Sequence, residues 1–173
     1  GNSRRNSRTR GDAVMAKTVE QKSKDWGCSS ATVRKYCASG LIPPAEKVGR
    51  MHKWMIPDEW PKPPMSRHGL CFLLDTIYQI SSGVEYKAIK WGYSREDVIA
   101  GFEYLIGAVF MSTIDTNNLE NELGNAFVTP RGEALIEKEN SEGGRKIKYT
   151  ARLKGKASFG IGSLEAEGAL SNE

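Results

Sequence analysis

Three prolines within four residues, Pro61-Lys62-Pro63-Pro64, constrain this chain more than any other feature. Each proline fixes φ and lacks an N–H, so neither a helix nor a central strand can run through the segment. Residues 61–69 therefore read as a proline-rich linker. It separates an N-terminal piece, residues 15–60, from a second piece, residues 70–140. A chain of 173 residues accommodates two small domains, and a hydrophobic share of 39% supplies a core for each.

The N-terminal piece has the signals of two short helices joined by a tight turn. Thr18 can cap a helix running through Trp26, with Val19 and Trp26 turned to the interior. Gly27-Cys28 breaks it, and Ser29 or Ser30 caps a second helix in which Val33, Tyr36 and Cys37 recur at helical spacing. Gly40 ends that helix, and Leu41-Ile42-Pro43-Pro44 leads away. With Val33, Tyr36 and Cys37 inward, Ser30, Ala31, Arg34, Lys35 and Ala38 face outward. Farther along, Trp54 and Ile56 alternate with Lys53 and Met55, as in a half-buried strand. Residues 45–57 thus read as a small hairpin, or wing, with Arg50, His52 and Lys53 at or near its tip.

Charge is unevenly placed. Residues 15–64 hold nine Lys and Arg against five Asp and Glu, whereas residues 65–144 hold six against twelve. An anion-binding surface therefore belongs to the first piece.

The segment Thr32-Val33-Arg34-Lys35-Tyr36-Cys37-Ala38-Ser39-Gly40-Leu41-Ile42-Pro43 resembles the recognition helix and exit of MerR-type regulators. Val48-Gly49-Arg50 and Trp54-Met55-Ile56-Pro57 are more similar to the wing of phage excisionases. The resemblance covers residues 17–60 and implies a winged helix-turn-helix that binds double-stranded DNA. Its implied contacts are Ser30, Thr32, Arg34 and Lys35 on the second helix and Arg50, His52 and Lys53 on the wing. MerR-type regulators carry a long coiled-coil helix after the wing; here no heptads follow, so a MerR-type effector sensor is not implied.

In the second piece, Leu70–Ile80 reads as a helix, Tyr86–Lys90 as a short helix, and Ser94 caps a stronger one with Val98, Phe102, Leu105 and Ile106 inward. Ala108–Ile114 reads as a strand, Asp115–Gly124 as a polar loop and Ala126–Thr129 as a returning strand, before Pro130 opens a last helix through Lys138. Phe127–Ile136 is similar to the end of many winged-helix domains. The expected fold class is thus mainly α with small β wings: an N-terminal winged helix-turn-helix, a second winged-helix-like domain and a β-hairpin tail. Arg95 stands against Glu96, Asp97 and Glu103, and the expected second wing carries Asp115, Glu120 and Glu122, which disfavours phosphate. Dimerisation or partner docking is the expected role, with Tyr93 and Tyr104 as candidate contacts.

The ends are basic. Gly1–Val14 reads as a disordered, Arg-rich leader, with Met15 a candidate natural start and a groove-following arm the alternative. In residues 145–173, alternating Lys146, Lys148, Arg152, Lys154 and Lys156 read as one strand of a hairpin. A turn at Gly160-Ile161 returns it through Glu165 and Glu167; a disordered tail is the alternative.

Nothing indicates catalysis. No nucleophile motif is present, and Cys28, Cys37, His52 and His68 have no recognised metal-ligand spacing, so neither metal nor cofactor is expected. No apolar run reaches the roughly 18–20 residues of a membrane span. The first residues carry no apolar signal segment, so a cytoplasmic location is expected. The expectation is a sequence-specific DNA-binding protein, a transcriptional regulator or an excisionase-like factor of a mobile element, dimerising through residues 65–173. The alternative is a protein-interaction adaptor or accessory subunit.

Overall fold

A computed structural model of the chain describes residues 15–143, which divide between Pro63 and Pro64 into two compact units. The described residues are mainly helical, with one three-stranded antiparallel sheet. The Arg-rich leader and the expected tail hairpin lie outside them.

In the first unit, Ala16–Thr18 forms β1 and runs directly into α1, Val19–Trp26. Thr18 makes the junction: its hydroxyl accepts the Gln21 N–H, and the Gln21 side chain accepts the Thr18 N–H in return. Gly27, at φ 67°, ends α1 where a Cβ would be strained, and the Ser29 side chain caps α2, Ser30–Ala38. Glu46–Val48 is β2 and Lys53–Pro57 is β3. The sheet order is β1-β3-β2, so the expected two-stranded hairpin gains a third strand, with Thr18 opposite Met55. Val19, Val33, Cys37, Ile42 and Ile56 make the core, with Trp26, Tyr36, Trp54 and Trp60 packed around it.

Lys22 is buried within this unit. Its ammonium donates to the Asp58 and Trp60 carbonyls at 2.8 and 3.0 Å and lies 4.7 Å from the centre of the Trp26 ring. Burial lowers its pKa from the ordinary value. The chain leaving β3 is thereby tied back onto α1.

The second unit opens earlier than the apolar pattern indicates. Ser66 caps α3, Arg67–Ser81, so the expected linker of residues 61–69 gives up its last three positions to a helix. Arg67 and His68 belong to that helix because both reach Glu139 on α6, Pro130–Glu142, which runs one turn beyond the expected Lys138. Tyr86–Ala88 is a single 3-10 turn, and Ser94 caps α4, Arg95–Gly107.

The expected second wing forms no two-stranded ladder among the described residues. Ala108–Ile114 and Ala126–Thr129 meet through an isolated bridge, Met111 to Val128, flanked by the Ser112 N–H donating to the Phe127 carbonyl and the Thr129 N–H to the Phe110 carbonyl. The intervening segment, expected as a polar loop, instead holds 3-10 turns at Thr116–Asn118 and Leu123–Asn125 around the short α5, Leu119–Glu122. Leu119 and Leu123, four residues apart and fully buried, draw one face of it inward despite its polar majority. The first turn of α6 packs so closely that a Cβ on Gly132 would collide with the Phe110 carbonyl oxygen. Tyr104 is buried, which removes it from the candidate docking aromatics, whereas Tyr93 is exposed.

Candidate nucleic-acid interface

The α1–turn–α2 arrangement sets which side chains α2 offers to solvent. Val33 and Cys37 lock one face into the core, and Tyr36 meets the edge of Trp26 at 6.2 Å between ring centres. Rotation about the helix axis then leaves Ala31, Arg34, Lys35 and Ala38 exposed, the small pair permitting close approach and the basic pair supplying donors.

The seven candidate residues are not equivalent. Ser30 is half-buried at the first turn of α2. Thr32 has its hydroxyl 3.0 Å from that of Ser29 and its N–H donating to the same oxygen, so it serves the cap. Arg34 donates to Glu20 of α1 at 2.9 Å, a pair exposed on both sides. Lys35 is exposed and forms no salt bridge among the described residues. Arg50, His52 and Lys53 lie together at the hairpin tip, all exposed and without an ionic partner among the described residues.

The tip itself is a tight loop, closed by the His52 N–H donating to the Gly49 carbonyl at 3.1 Å. Gly49 and His52 both have positive φ, 75° and 52°, and histidine is among the residues that tolerate this region. All three residues of β2 are exposed, while β3 carries Ile56 into the core. Lys47, which was not among the sequence candidates, lies 5.3 Å from the centre of the Trp54 ring. Pairing a lysine opposite an aromatic across strands is legible only once the register Lys47–Trp54 is known.

The carboxylates are placed to leave this surface positive. Lys17 draws in both Asp25 and Asp58, and its hydrogen bond to Asp25 holds that carboxyl below its ordinary pKa. Glu20 takes Arg34, and the one carboxylate on the β2–β3 hairpin is the exposed Glu46 at the start of β2. Lys35, Lys47, Arg50 and Lys53 enter no salt bridge among the described residues.

No group of three or more His, Cys, Asp or Glu side chains gathers among the described residues. Burial pushes the Cys37 thiol up to about 11 and raises Cys71 further, so neither supplies a thiolate nucleophile at neutral pH. No described helix is long and apolar enough to cross a membrane. No family model, curated protein or solved structure matches the chain.

Proposed function

We propose that residues 15–60 form a winged helix-turn-helix that binds double-stranded DNA sequence-specifically. In this reading α2 enters the major groove, about 12 Å wide, and the β2–β3 hairpin grips the adjacent backbone or minor groove. The observation that carries it is exposed positive charge with no ionic partner among the described residues: Lys35 on α2 and Arg50 and Lys53 on the hairpin. Phosphates supply the missing partners, and release of their counterions supplies affinity. Arg34 then exchanges Glu20 for a guanine or phosphate. The protein acts as a transcriptional regulator or as an excisionase-like factor of a mobile element.

The second unit supports a different role. Its residues 65–143 carry six basic against twelve acidic groups, which opposes phosphate. It exposes Phe127 at 61% and Val109 at 53%, the latter held at φ 61°, a costly conformation for a β-branched residue. These features favour protein contact: homodimerisation that sets two half-sites roughly 34–36 Å apart, or an adaptor function as the second reading.

The test of the DNA reading is fluorescence anisotropy with a duplex selected from a random library. An Arg34→Ala/Lys35→Ala variant of the full chain should lose about 1–3 kcal/mol of specific binding for each base-reading contact removed. Wild-type affinity from that variant, with its helical circular dichroism intact, would remove α2 from the interface.

A further inference from the structure

The hairpin tip presents one apolar side chain among its cations. Met51 is 77% exposed, more than any other large hydrophobic residue in either unit, and sits between Arg50 and the His52-Lys53 pair. The closing strand pair is Val48 with Lys53, so only four residues span the turn, and the positive φ of Gly49 and His52 reverses the chain sharply. Arg50 and Met51 consequently occupy its apex. Val48, at the base of the loop, is also exposed.

Folding gives no reason for methionine there. The core of this unit is Val19, Val33, Cys37, Ile42 and Ile56, and Met51 has no share in it. Tight turns are ordinarily filled by Gly, Asn, Asp or Ser, whose backbones and short side chains suit them. An unbranched thioether at an apex ringed by cations has a definite use on a nucleic acid. The minor groove, about 6 Å wide, is too narrow for a helix but admits side chains from a hairpin tip. Apolar wedges, methionine among them, enter base steps from that groove and part them, at a cost of a few kcal/mol offset by the contacts the deformed duplex then makes. The neighbouring Arg50 and Lys53 are placed to bind the phosphates flanking such a step.

We propose that Met51 is a minor-groove wedge, inserted between two base pairs of the bound duplex while Arg50 and Lys53 hold the backbone beside it. The inference rests on residues 15–60 being a duplex-DNA binder. It adds a shape-dependent element to recognition: the site should contain a pyrimidine–purine step, which unstacks most readily, where the hairpin lands.

The experiment uses the full chain and the selected duplex, with 2-aminopurine replacing adenine at successive positions. Binding of the wild type should raise fluorescence at one step, as that base loses its stacking partner. Met51→Ala should abolish the rise and weaken binding roughly tenfold, as the contacts that the wedged duplex makes are lost. Its salt dependence should not change, because no cation is removed. Met51→Leu, which keeps an apolar wedge, should restore most of the signal. Met51 is exposed, so neither substitution should move the thermal unfolding midpoint. Wild-type binding with no fluorescence change at any position, or an undiminished change with Met51→Ala, would overturn the wedge while leaving the DNA reading intact. Absence of duplex binding by the wild type would overturn both.

Discussion

Glu139→Ala should destabilise the second unit by about 3–5 kcal/mol, the cost of leaving a buried charge without its partner. The Glu139 carboxylate is almost wholly buried and receives the Arg67 Nε–H at 2.7 Å on one oxygen; His68 Nδ1 lies 2.9 Å from the other. Arg67 is itself mostly buried, and its second carboxylate, Glu142, lies at the surface. Removing Glu142 should therefore cost far less, since water replaces it. Replacing both Arg67 and Glu139 with methionine should recover much of the loss, because no uncompensated charge then remains inside. Urea titration followed by hydrogen exchange in α3 and α6 reads these effects in the intact chain. A Glu139→Ala protein as protected in those helices as the wild type would show that the ion pair does not anchor α6 to α3.

The second large effect falls on the first unit. Ile56 is fully buried on the central strand of the sheet, in a cluster with Val19, Val33, Cys37 and Ile42. Ile56→Ala should cost about 2–5 kcal/mol, from lost transfer free energy and the cavity left behind. A unit of this size commands little stability in total, so the substitution should unfold α1, α2 and the sheet and abolish DNA binding. Trp54, two positions earlier, is only half-buried and should be the milder of the two when truncated. Hydrogen exchange across residues 15–60 distinguishes them. Native protection in Ile56→Ala would mean that the sheet and helices do not share one core.

Local signals were legible where a single residue decides local geometry. Thr18 and Ser29 as caps, Gly27 and Gly40 as breaks, and Val33 with Cys37 at helical spacing each act within one turn of chain, so sequence alone exposes them. What sequence could not expose depends on distant partners. Ala16-Lys17-Thr18 has no strand alternation and becomes β1 only because β3 pairs with it. Arg67 and His68 look like linker until Glu139, some seventy residues away, accepts both. Ala108–Ile114 has strand composition, yet the chain turns at Val109 and the buried Leu119 and Leu123 pull the next segment into helical turns. The candidate interface divides in the same way. Exposure of Arg34 and Lys35 follows from the buried stripe of α2, whereas the Arg34–Glu20 pair spans fourteen residues and two helices. Met51 gave no signal in the pattern at all, because an apolar residue in a turn is informative only when the folded chain leaves it uncovered.

In the proposed mode, the hairpin and α2 bind duplex DNA through cations that have no ionic partner among the described residues. The slope of log affinity against log salt for the full chain on double-stranded DNA tests it most directly. The wild type should bind more weakly as salt rises, and Arg50→Ala and Lys53→Ala should each reduce the slope by about one unit, almost equally on every duplex. An unchanged slope in the Arg50→Ala/Lys53→Ala variant, or no duplex binding by the wild type at low salt, would contradict the account.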